Sequence, residues 1–387
     1  MGYTLLFPRL HHRAMEERYA SWQSELLVKR DLDQVSTRYY DSHDRTRELL
    51  RADDSHYVIV VTDPLIVPPP GLIPSLSAAL DQHPESQAAL PVTNDSSNPR
   101  QRRAPIEPYL TLRQFQQVAS TMAAEPALRL AVEWDESDPG VYLARRELLA
   151  QTDAPLSRAL QGQPVQIVTN SYTHRYASHR GQVRMDLLER ISPQARSVLE
   201  FGCGEAALGA ALKERQGCRV VGIELDRDAA RVAATRLDAV HSGDVRSLVA
   251  KIDERFEWIV GGDILEHLDE PWTFLMELKK LSEPGGHLLL SVPNIASWPI
   301  VVDLLRGRFD YVYMGITCAG HLRFFTRQSI SEMLEISGWS VESILPQEHF
   351  VTPEYLTFQS SLEKAGIDHS KPDLLTPGYY VLAKNGQ

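Results

Sequence analysis

The arrangement of apolar and polar positions changes character near the middle of the chain. From Gly181 onward, short apolar runs of strand length alternate with stretches whose apolar residues recur every three to four positions. Ser197-Val-Leu-Glu-Phe201, Arg219-Val-Val-Gly-Ile-Glu224, Ala239 to His241, Phe256 to Gly261 and His287 to Val292 read as strands. Gly181 to Ile191, Glu205 to Arg215, Asp228 to Leu237 and Pro271 to Leu281 read as helices, with Asp226 or Asp228 able to cap the third. Short β-rich runs joined by crossover helices predict an α/β fold with a parallel, doubly wound sheet. After Val292 the rhythm breaks. Ala296 to Phe325 is an insertion rich in aromatic residues, and strands at Trp339 to Leu345 and Tyr379 to Ala383 flank a helical stretch around Pro353 to Ala365.

The first half obeys a different pattern. Fifteen of the 24 prolines lie in residues 1–170, so this half is expected to be rich in loops. Tyr57-Val-Ile-Val-Val61 is a buried-strand signal, Val141 to Leu143 and Val165 to Val168 are weaker ones, and Ser75 to Leu80 reads as a short helix. The Gln-, Asp-, Pro- and Gly-containing stretch Gln151 to Pro164 marks a domain boundary. The expected organisation is an α/β accessory domain over 1–165 and a second domain over 166–387, with 296–325 as its lid insertion.

At 387 residues, the chain can bury two cores without disulfides. Its formal charge of −11 argues against a broad basic face for nucleic acid. Cys203, Cys218 and Cys318 show no C-x-x-C spacing, so neither a disulfide framework nor a cysteine-rich zinc site is readable. The apolar run at the N-terminus is too short for a signal peptide, and no window approaches the ~20 apolar residues of a membrane span. A cytoplasmic protein with no membrane partner is expected; a homo-oligomer stays open. His11 and His12 read as surface residues.

Candidate chemistry gathers where the strands end. The first strand of the second half runs into Glu200-Phe-Gly-Cys-Gly-Glu-Ala-Ala207, which places Gly202, Cys203 and Gly204 in a strand-to-helix turn where backbone can touch a ligand. Glu224 closes the second strand, 20 residues after Gly204, with Leu225 beside it. A carboxylate there accepts both ribose hydroxyls of any adenosine-containing cofactor, which leaves NAD and S-adenosylmethionine tied. Ser242-Gly-Asp244 and Val245 follow the third strand, Asp263-Ile264-Leu-Glu-His267-Leu268 the fourth, and Glu283-Pro-Gly-Gly286 turns into the fifth, which ends at Pro293-Asn294.

Through the E-x-G-C-G loop, the acidic end of strand two, the G-D after strand three, the D-x-x-E-H-L element and the P-G-G turn, residues 172–384 resemble the class I S-adenosylmethionine-dependent methyltransferases of small-molecule type. The resemblance implies a mainly parallel seven-stranded Rossmann-like sheet and S-adenosylmethionine as cofactor. It further implies that Glu200 holds the cofactor's ammonium group, Gly202 and Gly204 its methionine backbone, Glu224 its ribose and Asp244 its adenine amino group, with Cys203, Leu225, Val245, Asp263 and Ile264 alongside. Such loops often carry a third glycine where this chain has Ala206, which narrows the space above the loop. Methyl transfer is an in-line displacement at carbon, so a base is needed only if the acceptor must lose a proton. His267 is the first candidate and His321, in His321-Leu-Arg323-Phe-Phe-Thr326, the second; either can instead order its loop. A metal is not expected, because Glu266 and His267 are sequence neighbours whose side chains should diverge. Trp298, Phe309, Tyr311 and Tyr313 suit a lid over an organic acceptor, Asn294 and Arg323 complete the substrate set, and Tyr172, Tyr176 and Arg180 are placed to close the cofactor pocket from the other side. The implied function is methylation of an oxygen or nitrogen of a small metabolite, sugar or natural-product intermediate. A non-catalytic partner protein is an alternative, because the chain is also similar to the methyltransferase-like protein of methionine biosynthesis. The first half weakly resembles a glycosyltransferase of the nucleotide-sugar A fold through Tyr57-Val-Ile-Val-Val-Thr-Asp63, Pro91-Val-Thr-Asn94 and Leu143-Ala-Arg-Arg146. Asp63 is followed by Pro64 where that family has D-x-D, so a degenerate domain is expected, with a bifunctional enzyme of polysaccharide assembly as the catalytic variant.

Overall fold

The computed structural model describes residues 3–8, 15–30, 32, 35–40, 50, 54–63, 65–135, 137–176, 181–368 and 372–386. His11, His12 and Arg180 lie outside the described residues. The chain forms two compact units: residues 1–177 with 310–319, and residues 178–309 with 320–387. The boundary expected near 165 falls inside a strand, and the segment expected as a lid divides between the two units.

The first unit holds β1 (Tyr3–Pro8), β2 (Val35–Tyr40), β3 (Tyr57–Val61), β4 (Ile66–Val67), β5 (Ala88–Thr93), β6 (Arg129–Glu133), β7 (Val141–Arg145) and β8 (Pro164–Arg175). They form a mixed sheet ordered β2-β1-β3-β7-β5-β8-β4, with β6 paired to β8. β1, β2 and β3 run parallel, whereas β7 lies antiparallel between β3 and β5. This half is more regular than its proline content suggests. Pro74 sits in the first turn of the helix Leu72–Gln82, where no intrahelical N–H is lost, and Pro8 and Pro164 sit at strand ends. Segment 310–319 belongs here because Val312 joins the apolar cluster of Leu6, Val58, Phe115 and Tyr172. Gln23 also donates a hydrogen bond to the Tyr311 carbonyl (2.7 Å).

The second unit holds β9 (Ser197–Phe201), β10 (Arg219–Glu224), β11 (Ala239–Ser242), β12 (Phe256–Gly262), β13 (Ser282–Pro293), β14 (Trp339–Pro346) and β15 (Gly378–Asn385). Their order is β11-β10-β9-β12-β13-β15-β14, parallel throughout except for β15, which runs antiparallel to both neighbours. This is the doubly wound, mainly parallel seven-stranded sheet that the sequence predicts. Side-chain alternation explains the continuous apolar runs: Leu199, Val221, Ile223, Ile259 and Leu290 pack on one face and Val198, Val220, Val260 and Leu289 on the other, so both faces are buried. The helix expected over Gly181 to Ile191 is reduced to one turn, Met185–Leu188.

Candidate active site

Between β9 and the helix Ala207–Gln216, the chain turns sharply enough to need three left-handed residues: Gly202 (φ 69°), Gly204 (φ 55°) and Ala206 (φ 61°). At Gly202 a Cβ would stand 2.3 Å from Ile264 Cδ1, so glycine is required by space as well as by φ. Ala206 adopts the conformation a third glycine would take, at a cost of about 1–2 kcal/mol. Its methyl is fully buried among Val198, Leu212 and Val220, so it packs inward and does not narrow the space above the loop. Gly202 and Cys203 both donate from their backbone N–H to the Ile223 carbonyl, which folds the loop over the end of β10.

Glu224 fastens this loop. One of its oxygens accepts from Gly204 N (2.7 Å) and the other from Asp226 N (2.8 Å). A carboxylate has about four acceptor positions, so lone pairs remain at the strand end for a diol. Glu200 is placed differently from the expectation. It is buried in β9, one oxygen lies where a Cβ on Gly209 would touch it, and the carboxylate therefore faces the first turn of the helix Ala207–Gln216 instead of an open pocket. Burial, reinforced by Glu224, pushes its pKa up to about 8. The Cys203 side chain is likewise turned into the core against Gly222, and burial raises its thiol pKa far above the usual range, so only its backbone is available to a ligand. Leu225 is exposed, and Val245 is half-buried against the core.

Asp244 caps the turn Val245–Leu248 through Arg246 N (2.9 Å) and pairs with the Arg246 guanidinium (2.5 Å), which holds its carboxyl below the usual range. Arg246 continues to Asp269 (2.5 Å). After β12, Asp263 takes a left-handed φ of 54°, its N–H donates to the Ser291 carbonyl, and its carboxylate meets Arg184 (2.8 Å). Arg184 also binds Asp186 and the Ser291 hydroxyl. Neither Arg184 nor Arg246 stands out in the sequence, since each precedes or follows the motif it serves and belongs to none.

Beyond Asp263 the turn Leu265–His267 brings Glu266 and His267 to the segment Gly320–Arg323. The Glu266 carbonyl accepts from Leu322 N (2.7 Å) and Arg323 N (3.0 Å), and His267 Nδ1 lies 3.1 Å from the Gly320 carbonyl. A carbonyl can only accept, so His267 carries its proton on Nδ1 and leaves Nε2 as the basic nitrogen. The His267 and His321 rings meet edge to face at 4.8 Å, and His321 Nε2 is 3.9 Å from Glu266 Oε1. One carboxylate oxygen and two ring nitrogens thus lie within 4.8 Å of one another. The expectation that Glu266 and His267 diverge does not hold, because the tight turn folds both toward a third residue 54 positions downstream. Burial, with Asp263 nearby, raises the Glu266 carboxyl well above its ordinary range.

Most of the expected substrate residues go elsewhere. Asn294 is fully buried and ties the end of β13 to the Asp373 and Thr376 carbonyls (2.6 and 3.0 Å). Trp298 is fully buried, stacks on Phe350 and donates to its carbonyl (2.7 Å). Tyr311 and Tyr313 belong to the first unit, against Tyr19 and Tyr176 respectively. Tyr172, fully buried, and Tyr176 are part of that unit as well, since β8 runs through 164–175 and Tyr172 hydrogen-bonds Tyr109 (3.1 Å) inside its core. Arg323 alone stays beside the histidines, half-anchored through the Leu322 and Asp269 carbonyls. In the first unit, Asp63 is engaged by Arg175 (2.6 Å).

Comparison with known proteins follows this geometry. A family model described as a methyltransferase domain matches residues 176–344. The ubiquinone biosynthesis O-methyltransferase of Pseudomonas aeruginosa (strain UCBPP-PA14) is 31% identical over 185 residues, which cover 43% of this chain and 72% of that protein. A probable S-adenosylmethionine-dependent methyltransferase of Mycolicibacterium smegmatis is 30% identical over 157 residues, or 40% and 56% of the two chains. A solved methyltransferase from Archaeoglobus fulgidus superimposes with a TM-score of 0.39 at 16% identity, over 52% of this chain and 91% of that one. The chain belongs to the S-adenosylmethionine-dependent methyltransferases. It is an enzyme that transfers a methyl group, and S-adenosylmethionine is its cofactor. The donor set fits at Glu224, which stands at the carboxyl end of its strand and retains acceptor capacity for a ribose, whereas Asp244 and Asp263 are already paired with Arg246 and Arg184.

Proposed function

We propose that this enzyme methylates an oxygen of a small organic acceptor, with His267 as the base. The observation that carries the reading is the His267 Nδ1 contact to the Gly320 carbonyl, which fixes the tautomer whose Nε2 can take a hydroxyl proton. When bound, the cofactor supplies an electrophilic methyl group. His267 removes the acceptor's proton as the oxygen attacks, and the turn Leu265–His267 holds the ring in place throughout. Relatives named as O-methyltransferases support transfer to oxygen. Residues 1–177 with 310–319 serve as an accessory unit. Among the described residues no helix is long and apolar enough to cross a membrane.

The test is release of S-adenosylhomocysteine from a panel of phenols, catechols, alcohols and amines. Turnover is expected with hydroxyl acceptors. His267→Ala should lower kcat by roughly 10²- to 10⁴-fold with cofactor affinity nearly unchanged, the scale of a lost general base. Methylation of amines alone, or a His267→Ala enzyme of near-normal kcat, would overturn the reading.

A further inference from the structure

One strand of the first unit has an open outer edge. Among the described residues β6 pairs with β8 alone, antiparallel and in unbroken register from Arg129 opposite Val168 to Glu133 opposite Pro164. Edge strands are commonly guarded by a proline or a bulge, and β6 has neither. Apolar side chains stand in the open there, with Leu128 66% and Leu130 40% exposed.

The alternation of the backbone decides which groups are free. Thr169 N donates to the Leu128 carbonyl and Trp134 N to the Gln163 carbonyl, so the even-numbered positions of this stretch spend their hydrogen bonds on β8. The N–H and C=O groups of Arg129, Ala131 and Glu133 therefore point away from β8, toward the open edge. Side chains alternate across the other direction. Arg129, Ala131 and Glu133 share one face, where the Arg129 guanidinium reaches Gln82 and the Ala78 carbonyl, and Leu130 and Val132 share the opposite one, with Val132 packed against the core of the unit.

The strand Arg-Leu-Ala-Val-Glu is its own complement when laid antiparallel about Ala131. In that register Ala131 meets Ala131 of the second copy, Arg129 meets Glu133 at both ends, and exposed Leu130 meets Val132. Each outward position then exchanges both of its free backbone hydrogen bonds with the residue opposite. Centring the pair on Arg129 or on Glu133 instead would set like charges face to face. We infer that a second copy of this chain occupies this edge, β6 against β6, joining two first-unit sheets into one continuous sheet across a two-fold axis. The opposite charges at the two ends of the strand select a copy of itself over an arbitrary extended segment.

The experiment is analytical ultracentrifugation of the full chain at about 1, 10 and 100 μM; a single strand pair is a small contact, so a reversible monomer–dimer equilibrium in the micromolar range is expected. Ala131→Pro removes an outward N–H and none that β8 uses, so the chain should stay folded while dimerisation weakens at least about tenfold. Arg129→Glu and Glu133→Arg each put like charges opposite one another at both ends and should weaken it by at least about tenfold as well. The double variant Arg129→Glu/Glu133→Arg restores both opposite-charge pairs, and so does an equimolar mixture of the two single variants; both should dimerise to within about threefold of the wild type. Circular dichroism and urea midpoints establish that each variant is folded. Because Arg129 also holds Gln82, Glu133→Arg and Ala131→Pro decide if Arg129→Glu does not fold. A wild type that is monomeric at the highest concentration overturns the proposal, whatever other segment then pairs with the edge. So does a dimer that Ala131→Pro and Glu133→Arg leave unchanged, an open-ended polymer, or a mixture of folded single variants that fails to recover.

Discussion

Replacing Glu200 by Gln should stabilise the second unit, by an amount that grows with pH. The carboxyl group is buried in β9, one of its oxygens has no hydrogen-bond partner among the described residues, and burial together with Glu224 raises its pKa from 4.5 to about 8. Below about pH 4.5 both folded and unfolded chains hold the proton and the group costs nothing. Between 4.5 and 8 the folded chain keeps a proton that the unfolded chain has lost, so stability falls as pH rises; above 8 both are ionised and the loss is constant. At ~1.4 kcal/mol per pH unit the loss reaches roughly 3–5 kcal/mol by pH 8. Glutamine has the same shape and no ionisation, so it removes the slope. Urea unfolding of both proteins without cofactor, at fixed ionic strength and pH 5.5, 6.5 and 7.5, should show the stability difference widening by about 1.4 kcal/mol per unit. A constant difference would mean that Glu200 ionises as readily in the folded chain as in the unfolded one, and the reasoning from burial would be refuted.

Three further outcomes follow from geometry already described. Gly202→Ala places a methyl 2.3 Å from Ile264 Cδ1 at φ 69° and should weaken S-adenosylmethionine binding at least about tenfold by calorimetry, with partial recovery in Gly202→Ala/Ile264→Ala; unchanged affinity would show the loop to be more plastic than its packing implies. Trp298→Ala should cost about 3–5 kcal/mol in denaturant unfolding, as expected for a fully buried tryptophan, while the acceptor KM stays the same; a large KM effect would return Trp298 to the substrate set. A fragment of residues 166–387 should aggregate and bind hydrophobic dye, because it keeps most of β8 without its sheet and leaves Val312, Ile316, Cys318 and Ala319 without the first unit; a monomeric, cofactor-binding fragment would contradict this.

What could be read from the sequence was set by how local each signal is. The strands from Ser197 to Val292 and the Gly202–Gly204 turn announce themselves because both depend on neighbours within a few positions. The first unit was less legible: its prolines are accommodated one by one, Pro8 and Pro164 at strand ends, Pro74 in a helix's first turn and Pro91 within β5 at a shift of register. The roles of Asn294 and Trp298 were misread for a different reason. Their partners, Thr376 and Phe350, lie 82 and 52 positions downstream, and a polar or aromatic residue after a strand looks the same whether it closes a core or faces a ligand. Glu266 was visible as a letter in a motif, but the hydrogen bonds from Leu322 N and Arg323 N to its carbonyl join segments more than 50 positions apart, which nothing local predicts.

The excursion of 310–319 into the first unit also sets a schedule for synthesis. Residue 310 follows residue 177 by 133 positions. At 5–20 residues per second a ribosome needs roughly 7–27 s to deliver it. Throughout that interval the first unit exists without Val312 in its apolar cluster. The nascent chain therefore carries an unfinished hydrophobic surface for many times longer than small domains take to fold, and a holding chaperone has its natural moment there.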